Sequence, residues 1–458
     1  MSVDQKLADA EARPVWQPDS WRYREAGHQP LYPSTSALNQ MLVQLHQLPG
    51  LVTWGETELL KHQLAEAARG DRFVLQGGDC AERFADCTGD QIADKLKIML
   101  QMSLVLVHGL NKRVVRIGRI AGQYAKPRST DTETRGDVTL PSYRGDLINS
   151  VEFTEAARIP DPRLMLTGYK RAALTLNHIR ALVSGGFADL HHPEYWDLDF
   201  VRHSPLAAEY GRIVDTIMDS LKFMETISGR SPSESSRIDF FTSHEGLHLP
   251  YEQAQTRFVE AVGRWYNTSA HFPWIGMRTA DLNGAHVEYF RGIANPIGVK
   301  IGPTTSPDGL LRLIDTLNPD DEPGRLTLIH RFGARQIRDR LPPLVKAVQG
   351  SGRRVLWICD PMHGNTELAS NGMKTRRFEN ILDELETAFA LHEANGSVLG
   401  GVHFEMTGED VTECTGGARG LTDEDLDRAY KSEVDPRLNY EQALEMAMRI
   451  VASIRSNS

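Results

Sequence analysis

The chain holds 458 residues, 40% of them hydrophobic and 24% charged, with 51 Lys and Arg against 61 Asp and Glu for a net charge of −10. Such a composition supports a sizeable folded core and excludes collagen-like, coiled-coil and disordered chains. The acidic balance also excludes a dedicated binder of nucleic acid or anionic membrane, which needs a dominant basic face.

The most apolar stretch, residues 98–107, is broken by Gln101 and Ser103 and is about half of the roughly 20 residues that cross a bilayer. No membrane-spanning helix is expected. The start of the chain has mixed charge and no apolar run behind it, so it does not read as a secretory signal, and the expected location is cytoplasmic. Cys80, Cys87, Cys359 and Cys414 are too sparse for a disulfide framework and include no Cys-x-x-Cys pair, although any one could be a ligand or a nucleophile.

Residues 1–70 read as an extension, polar and rich in Pro and Trp, then helical over 56–68, where Leu59, Leu60 and Leu64 fall at helix spacing. Thereafter short β-branched or apolar runs recur at 72–75, 113–117, 237–241, 271–275, 298–301, 326–329, 354–358 and 398–404. Helical patterns lie between them, among them 92–107, 251–265 and 378–393. Eight alternating units predict an α/β fold, a closed (β/α)8 TIM barrel over residues 71–458. The long interval between the second and third runs predicts an insertion over about 150–236, with a helix at 209–226 and a polar linker at 228–236. Near the end, Asn439 and Gln442 have the spacing of a helix start for the amphipathic run that ends near residue 454.

In such a barrel, functional groups sit where strand C-terminal ends open into loops. Charged residues follow nearly every run. Arg119, Lys126, Arg128, Arg278, Lys300 and Arg331 would converge on one rim, and their mutual repulsion makes sense if anionic ligands occupy it; so many cations suggest a pair of phosphorylated substrates. Cys80, His363, Glu405 and Asp435 form a mixed soft and hard donor set that suits manganese, iron, cobalt or zinc. Taken singly, Cys80 also reads as a buried structural cysteine and His363 as a hydrogen-bonded loop histidine. His244-Glu245-Gly246-Leu247-His248 matches the His-Glu-x-x-His pattern of zinc proteases, but that chemistry requires a helix. Gly246 and Pro250 disfavour one there. His191-His192-Pro193 reads as a loop.

The segments LQGGDCAERF (75–84), GRIAGQYAKPRS (118–129), TSHEGL (242–247), WIGMRT (274–279), GVKIGP (298–303), CDPMHGNT (359–366) and HFEMTGEDVTECTGG (403–417) closely resemble type II, plant-like 3-deoxy-D-arabino-heptulosonate 7-phosphate synthases. The likeness runs in register from about residue 16 to the C-terminus. It implies a metal-dependent, aldol-like condensation of phosphoenolpyruvate with erythrose 4-phosphate, the opening step of the shikimate pathway, with water adding to the resulting cationic carbon and phosphate leaving. By position it assigns Cys80, His363, Glu405 and Asp435 to a divalent metal, expected as Mn2+ with Co2+ or another transition metal as alternatives. Arg119 and Lys126 match residues at the phosphoenolpyruvate carboxylate. Arg278, Lys300 and Arg331, with Met277 beside them, match those around its phosphate. Arg128 and Ser129 match contacts to the aldose phosphate, and Asp360 a residue near the sugar hydroxyls. Lys126 is expected to deliver a proton, its pKa lowered by neighbouring cations.

The resemblance further implies a homodimer or homotetramer, an aromatic amino acid effector housed in the insertion, and contact with chorismate mutase. Many relatives carry an acidic residue where Met277 stands, Met and Asn where Phe332 and Ala334 stand, and some have Cys at the position of Val434. These departures leave open a related enzyme of secondary metabolism that takes another aldose phosphate, such as an amino sugar phosphate.

Overall fold

The computed structural model describes residues 15–185, 207–228 and 238–456. Eight strands close into one barrel: β1 (Arg72–Gly78), β2 (Arg113–Arg119), β3 (Phe240–Glu245), β4 (Phe272–Ile275), β5 (Ile297–Ile301), β6 (Leu326–His330), β7 (Leu356–Cys359) and β8 (Leu399–Glu405). Each pairs in parallel with its sequence neighbours, and β8 returns to β1. Every run expected from the sequence overlaps a barrel strand, the third in residues 240–241 alone, and the (β/α)8 architecture stands.

Alternation along the strands divides two cores, because successive side chains point to opposite faces. Phe73 and Leu75 of β1 turn outward into a large cluster shared with the surrounding helices, which include Gly89–Leu110, Ile337–Ser351, Phe378–Ala394 and Tyr440–Ser456. Val74 turns inward, where Val115, Ile117, Phe241, Phe272, Trp274, Ile329 and Ile358 meet Leu60, Leu64 and Ala67 of helix Trp54–Ala68. That helix therefore plugs the end of the barrel where the strands begin. The approach is close: Gly324, just before β6, has φ +75°, and a Cβ there would lie 2.0 Å from the Lys61 carbonyl oxygen. Leu60 and Leu64 are buried as their spacing predicts, while Leu59 faces solvent. Thr53 and Glu56 close a capping box at the helix start, the reciprocal pairing that satisfies two orphan N–H groups.

Residues 251–265 depart from expectation. Helix persists only over Leu249–Ala254, and Thr256–Val259 then pairs antiparallel with Arg264–Asn267. The Thr-Arg-Phe-Val and Arg-Trp-Tyr-Asn runs suit strands, and Gly263 takes the left-handed φ of +64° at the end of the connecting loop. Between β2 and β3 lie a hairpin (Thr132–Arg135 with Val138–Pro141) and helices Arg163–Ser184 and Ala207–Ser228. The expected helix at 209–226 is present. The linker at 228–236, save its first residue, and the His191-His192 pair lie outside the described residues. Helix Tyr440–Ser456 starts as predicted, with Asn439 Oδ1 accepting from the Gln442 amide at 2.9 Å and Gln442 Oε1 accepting from the Asn439 amide at 3.2 Å. Among the described residues no helix is long and apolar enough to cross a membrane.

Candidate active site

Strand register brings the first groups together. Gly78 at the end of β1 is level with Arg119 on β2 and with Glu405 on β8. Cys80 follows two residues later. Asp435 does not follow a strand, but the segment after it returns to the barrel: Leu438 donates to the Glu405 carbonyl and accepts from the Thr407 amide, both at 3.0 Å. His363 enters on the loop after β7.

These four residues converge. A thiol sulfur of Cys80 and carboxylate oxygens of Glu405 and Asp435 lie within 4.8 Å of one another, and His363 Nε2 is 2.9 Å from Glu405 Oε1. The Lys126 ammonium sits among all four, at 2.8 Å from Cys80 Sγ, 2.9 Å from Glu405 Oε1, 3.2 Å from Asp435 Oδ2 and 3.4 Å from His363 Nε2. A positive charge thus already occupies the point on which a thiol, an imidazole and two carboxylates are aimed. The donor set fits a borderline divalent metal, and Lys126 is the stand-in cation that such a metal would displace.

The surrounding groups hold these donors in place. His363 Nδ1 pairs with Asp360 Oδ2 at 2.7 Å, which turns Nε2 toward Glu405; carboxylates commonly orient metal-binding imidazoles in this way. Arg376 pairs with Glu405 Oε2 at 2.7 Å, reaches Thr366 Oγ1 at 2.9 Å and donates to the Pro436 carbonyl. One buried guanidinium therefore ties the loop after β7 and the Asp435 loop to the end of β8. Arg437 bridges Asp79 and Glu413 at 2.6 and 2.8 Å, fixing the residues beside Cys80 and Asp435 to each other.

The electrostatics follow from burial and these partners. Burial, with Glu405 nearby, pushes the Cys80 thiol up to about 12; a bound metal reverses this, since a coordinated thiol is deprotonated. Burial alone would lower Lys126, but Cys80, Glu405 and Asp435 together hold it above the ordinary lysine range. The expected lowering is thus corrected, because a thiol and two carboxylates, rather than the cations of the rim, lie nearest. Burial does lower Lys300, to about 8, even though Asp360 lies 2.7 Å away.

Beside this centre lies a cleft of about 300 Å³ lined by Lys126, Ser129, Glu245, Met277, Arg278, Lys300, Arg331, His363, Lys374 and Asp435, with Gly276, Thr366 and Pro127 completing the wall. Arg278 donates to Ser129 Oγ at 3.0 Å, joining the loops after β4 and β2. Arg331 contacts Met277 Sδ at 3.3 Å and donates to the His363 carbonyl.

Three of the expected substrate contacts lie off the cleft wall. Arg119 is buried and directs its donors to the Asp79 and Cys80 carbonyls, His403 and Glu405. Arg128 pairs with Glu133 at 3.2 Å. Asp360, expected near sugar hydroxyls, has its oxygens on His363 and Lys300 because it sits beneath the loop rather than beside the opening. Sequence reading did not single out Lys374 and Arg376, which lie on a hairpin strand after β7, nor Arg437 and Glu413; Asp435-Pro436-Arg437 adjacency was the available signal for Arg437. In the His-Glu-x-x-His segment the two histidines belong to separate networks. His244 Nε2 meets Glu252 at 2.9 Å, whereas His248 accepts from the Tyr251 amide at 3.1 Å and meets Tyr32 at 2.7 Å.

A parallel eight-stranded barrel with a mixed-donor centre and a cation-lined cleft at its strand C-terminal ends defines a (β/α)8 enzyme for small anionic substrates. The family model described as the class-II DAHP synthetase family matches residues 16–451. The chain is 48% identical over 437 residues to a phospho-2-dehydro-3-deoxyheptonate aldolase of Streptomyces coelicolor, covering 95% of this chain and 97% of the relative. It is 47% identical over 458 residues to a Neurospora crassa protein of the same name (96% and 95% covered) and 43% identical over 456 residues to the Mycolicibacterium smegmatis aldolase AroG (98% and 95% covered). The chain belongs to the class-II DAHP synthetase family, the transferases of the shikimate pathway that lead toward the aromatic amino acids.

Proposed function

We propose that this chain condenses phosphoenolpyruvate with erythrose 4-phosphate, in a reaction that depends on a divalent metal held by Cys80, His363, Glu405 and Asp435. The observation that carries the proposal is the convergence of those four donors on one cation position beside a cleft lined by Lys126, Arg278, Lys300, Arg331 and Lys374. Manganese or cobalt suits the mixed set. The metal supplies Lewis-acid polarisation of the aldehyde carbonyl, worth several kcal/mol.

The protein's own residues do the rest. Arg331 and Lys300, with Arg278 and the Gly276–Met277 backbone, neutralise the phosphate and carboxylate of phosphoenolpyruvate, so that two polyanions share a small space. Ser129, joined to Arg278, takes the aldose phosphate, with Arg128 held on Glu133 behind the cleft wall. Holding both partners at attack distance removes much of the entropic barrier to joining them. Lys126, displaced from the centre, stays beside the reacting carbonyl, where its ammonium donates to the oxygen that gains charge. Arg119 braces the Cys80 loop and Glu405 under the phosphoenolpyruvate carboxylate.

Met277 supports one alternative substrate. It places a thioether against Arg331 where many relatives have an acid, and that leaves an altered aldose phosphate as the second reading. The test is phosphate release from phosphoenolpyruvate with a panel of aldose phosphates, with and without chelator. Erythrose 4-phosphate is expected to give the fastest release, abolished by chelation and restored by manganese or cobalt. Preference for an amino sugar phosphate would favour the second reading, and chelator-resistant turnover would end the metal assignment.

A further inference from the structure

β6 ends at His330 and β7 at Cys359, and the two residues are level with each other across the parallel pair. Ile329 and Ile358, one step back, turn into the inner cluster. Alternation along a strand therefore sends His330 and Cys359 to the outer face, where helix Phe378–Ala394 brings Glu384 against them. An imidazole nitrogen of His330, the Cys359 sulfur and a carboxylate oxygen of Glu384 all lie within 4.8 Å of one another, and all three side chains are fully buried. Asp360, next in the chain, points the other way, onto His363 and Lys300. This second group of donors thus lies on the helix side of the strands, and the chemistry proposed above makes no use of it.

Both ring nitrogens of His330 are buried without a hydrogen-bond partner, while Phe332 stacks on the ring at 5.9 Å and 23°. Buried polar groups are nearly always satisfied, so an imidazole with neither nitrogen engaged is poised to bind a ligand. Glu384 Oε1 accepts from the Phe332 amide at 2.8 Å, and its Oε2 accepts from Asn365 Nδ2 at 2.7 Å. These bonds aim the carboxyl but leave lone pairs free on its oxygens. Burial raises Glu384 to about 8, outweighing the pull of Arg331, and holds Cys359 well above the usual thiol range. Left alone, both keep their protons at neutral pH.

We propose that His330, Cys359 and Glu384 hold a second divalent cation, zinc, on the outer face of the barrel. One sulfur, one nitrogen and one oxygen donor make a borderline set, and zinc imposes no geometry of its own on it. Three protein donors leave one zinc position for a water, as three-ligand sites do. Binding forms three coordinate bonds and releases two protons, one from the Cys359 thiol and one from the Glu384 carboxyl. The thiolate and carboxylate then cancel the double positive charge, so the buried pocket stays neutral. Manganese stands below zinc in affinity for such donors, so it fills the first centre without displacing this ion. Phe332 follows Arg331, and Asn365 lies two residues after His363. Zinc on Glu384 therefore pins the roots of two loops, one carrying a cleft cation and the other a donor of the first centre. That work is structural and holds whichever aldose phosphate the cleft accepts.

The experiment uses the full chain carrying Cys80→Ser and His363→Gln, which disables the first centre, loaded with zinc, desalted and titrated against a coloured chelator. About one tightly held zinc per chain should remain. Adding Cys359→Ala or His330→Gln should weaken it by more than the roughly 10–100-fold that loss of an outer-shell partner costs, whereas Cys87→Ala should leave it unchanged. Zinc-edge X-ray absorption of the doubly substituted chain, with the second group intact, should show a sulfur neighbour, and this reading survives if a core variant fails to fold. Zinc below about a tenth per chain in that protein overturns the site. So does a spectrum without sulfur, or an affinity that loss of Cys359 or His330 does not change. The condensation is tested apart from this, by phosphate release from the wild type.

Discussion

Lys126 touches all four groups that aim at the cation position, so filling that position with metal requires its ammonium to retreat toward the cleft. The Cys80 thiol, pushed up to about 12 by burial and Glu405, must lose its proton in the same event. Cys80→Ser removes the soft donor while keeping the volume. Metal content and turnover should fall together, and a variant that keeps both would remove Cys80 from the centre. Lys300 lines the cleft beyond His363, 3.3 Å from its Nδ1, and Lys300→Ala should raise the phosphoenolpyruvate KM by at least about tenfold, as loss of a charge-assisted contact does, while moving the aldose KM much less. Steady-state kinetics with each substrate varied separately decides this.

Cys80, His363 and Glu405 were legible one by one, since each follows an apolar run within a family motif, whereas Asp435 rested on its position in the family resemblance alone. Hidden were the directions of their neighbours. Sequence spacing cannot tell that Asp360 turns back onto His363, that Arg128 pairs with Glu133, or that anions rather than cations surround Lys126.

At the scale of elements, the strands read correctly because each buried run is short, β-branched and followed by a polar loop. The segment after Leu249 misled because its apolar spacing fits either a helix or a hairpin, and tertiary contacts decide: Tyr266 is buried with its hydroxyl on Glu58 at 2.7 Å, on the helix that plugs the barrel. The path of Asp435 was equally unreadable, because it depends on Leu438 bonding back to Glu405 across distant sequence. The plug itself offers a test. Leu64 is fully buried in the inner cluster, so Leu64→Ala should cost about 2–5 kcal/mol, read as a lower urea midpoint. The active site lies at the other end of the strands, so metal binding at low denaturant should persist.

Across the whole metal-free molecule, buried imidazoles and buried carboxyls pull stability in opposite directions in mild acid: Glu384, raised to about 8 by burial, gains as pH falls, and the imidazoles lose. Burial lowers His248 and His286 to about 4 and His392 to about 3, below the ordinary 6.5. Between pH 6.5 and 4 the unfolded chain therefore binds protons at these imidazoles that the folded chain refuses, so their share of stability is intact above 6.5 and declines as pH drops. A tenfold difference in proton affinity between the folded and unfolded chain is worth about 1.4 kcal/mol, and three histidines together amount to several. Glu252 acts in the same direction further down: burial would raise it, but His244 with Asn267 and Ser269 holds it below the usual carboxylate range, so its contribution is lost as acid protonates it. Urea midpoints of chelator-treated wild type and His392→Gln from pH 7.5 to 4.5 isolate one imidazole's share: the wild type should lose ground to the variant as pH drops, and a pH-independent difference would contradict the burial of that imidazole.

One cation position unites a residue near the first strand with others near the end of the chain, and it is open to direct observation. Anomalous scattering from a crystal soaked in manganese should place one strong peak within direct bonding reach of Cys80 Sγ, His363 Nε2 and carboxylate oxygens of Glu405 and Asp435, with Lys126 Nζ moved away. A peak elsewhere, or Lys126 still seated among the four donors with no metal bound, would contradict it.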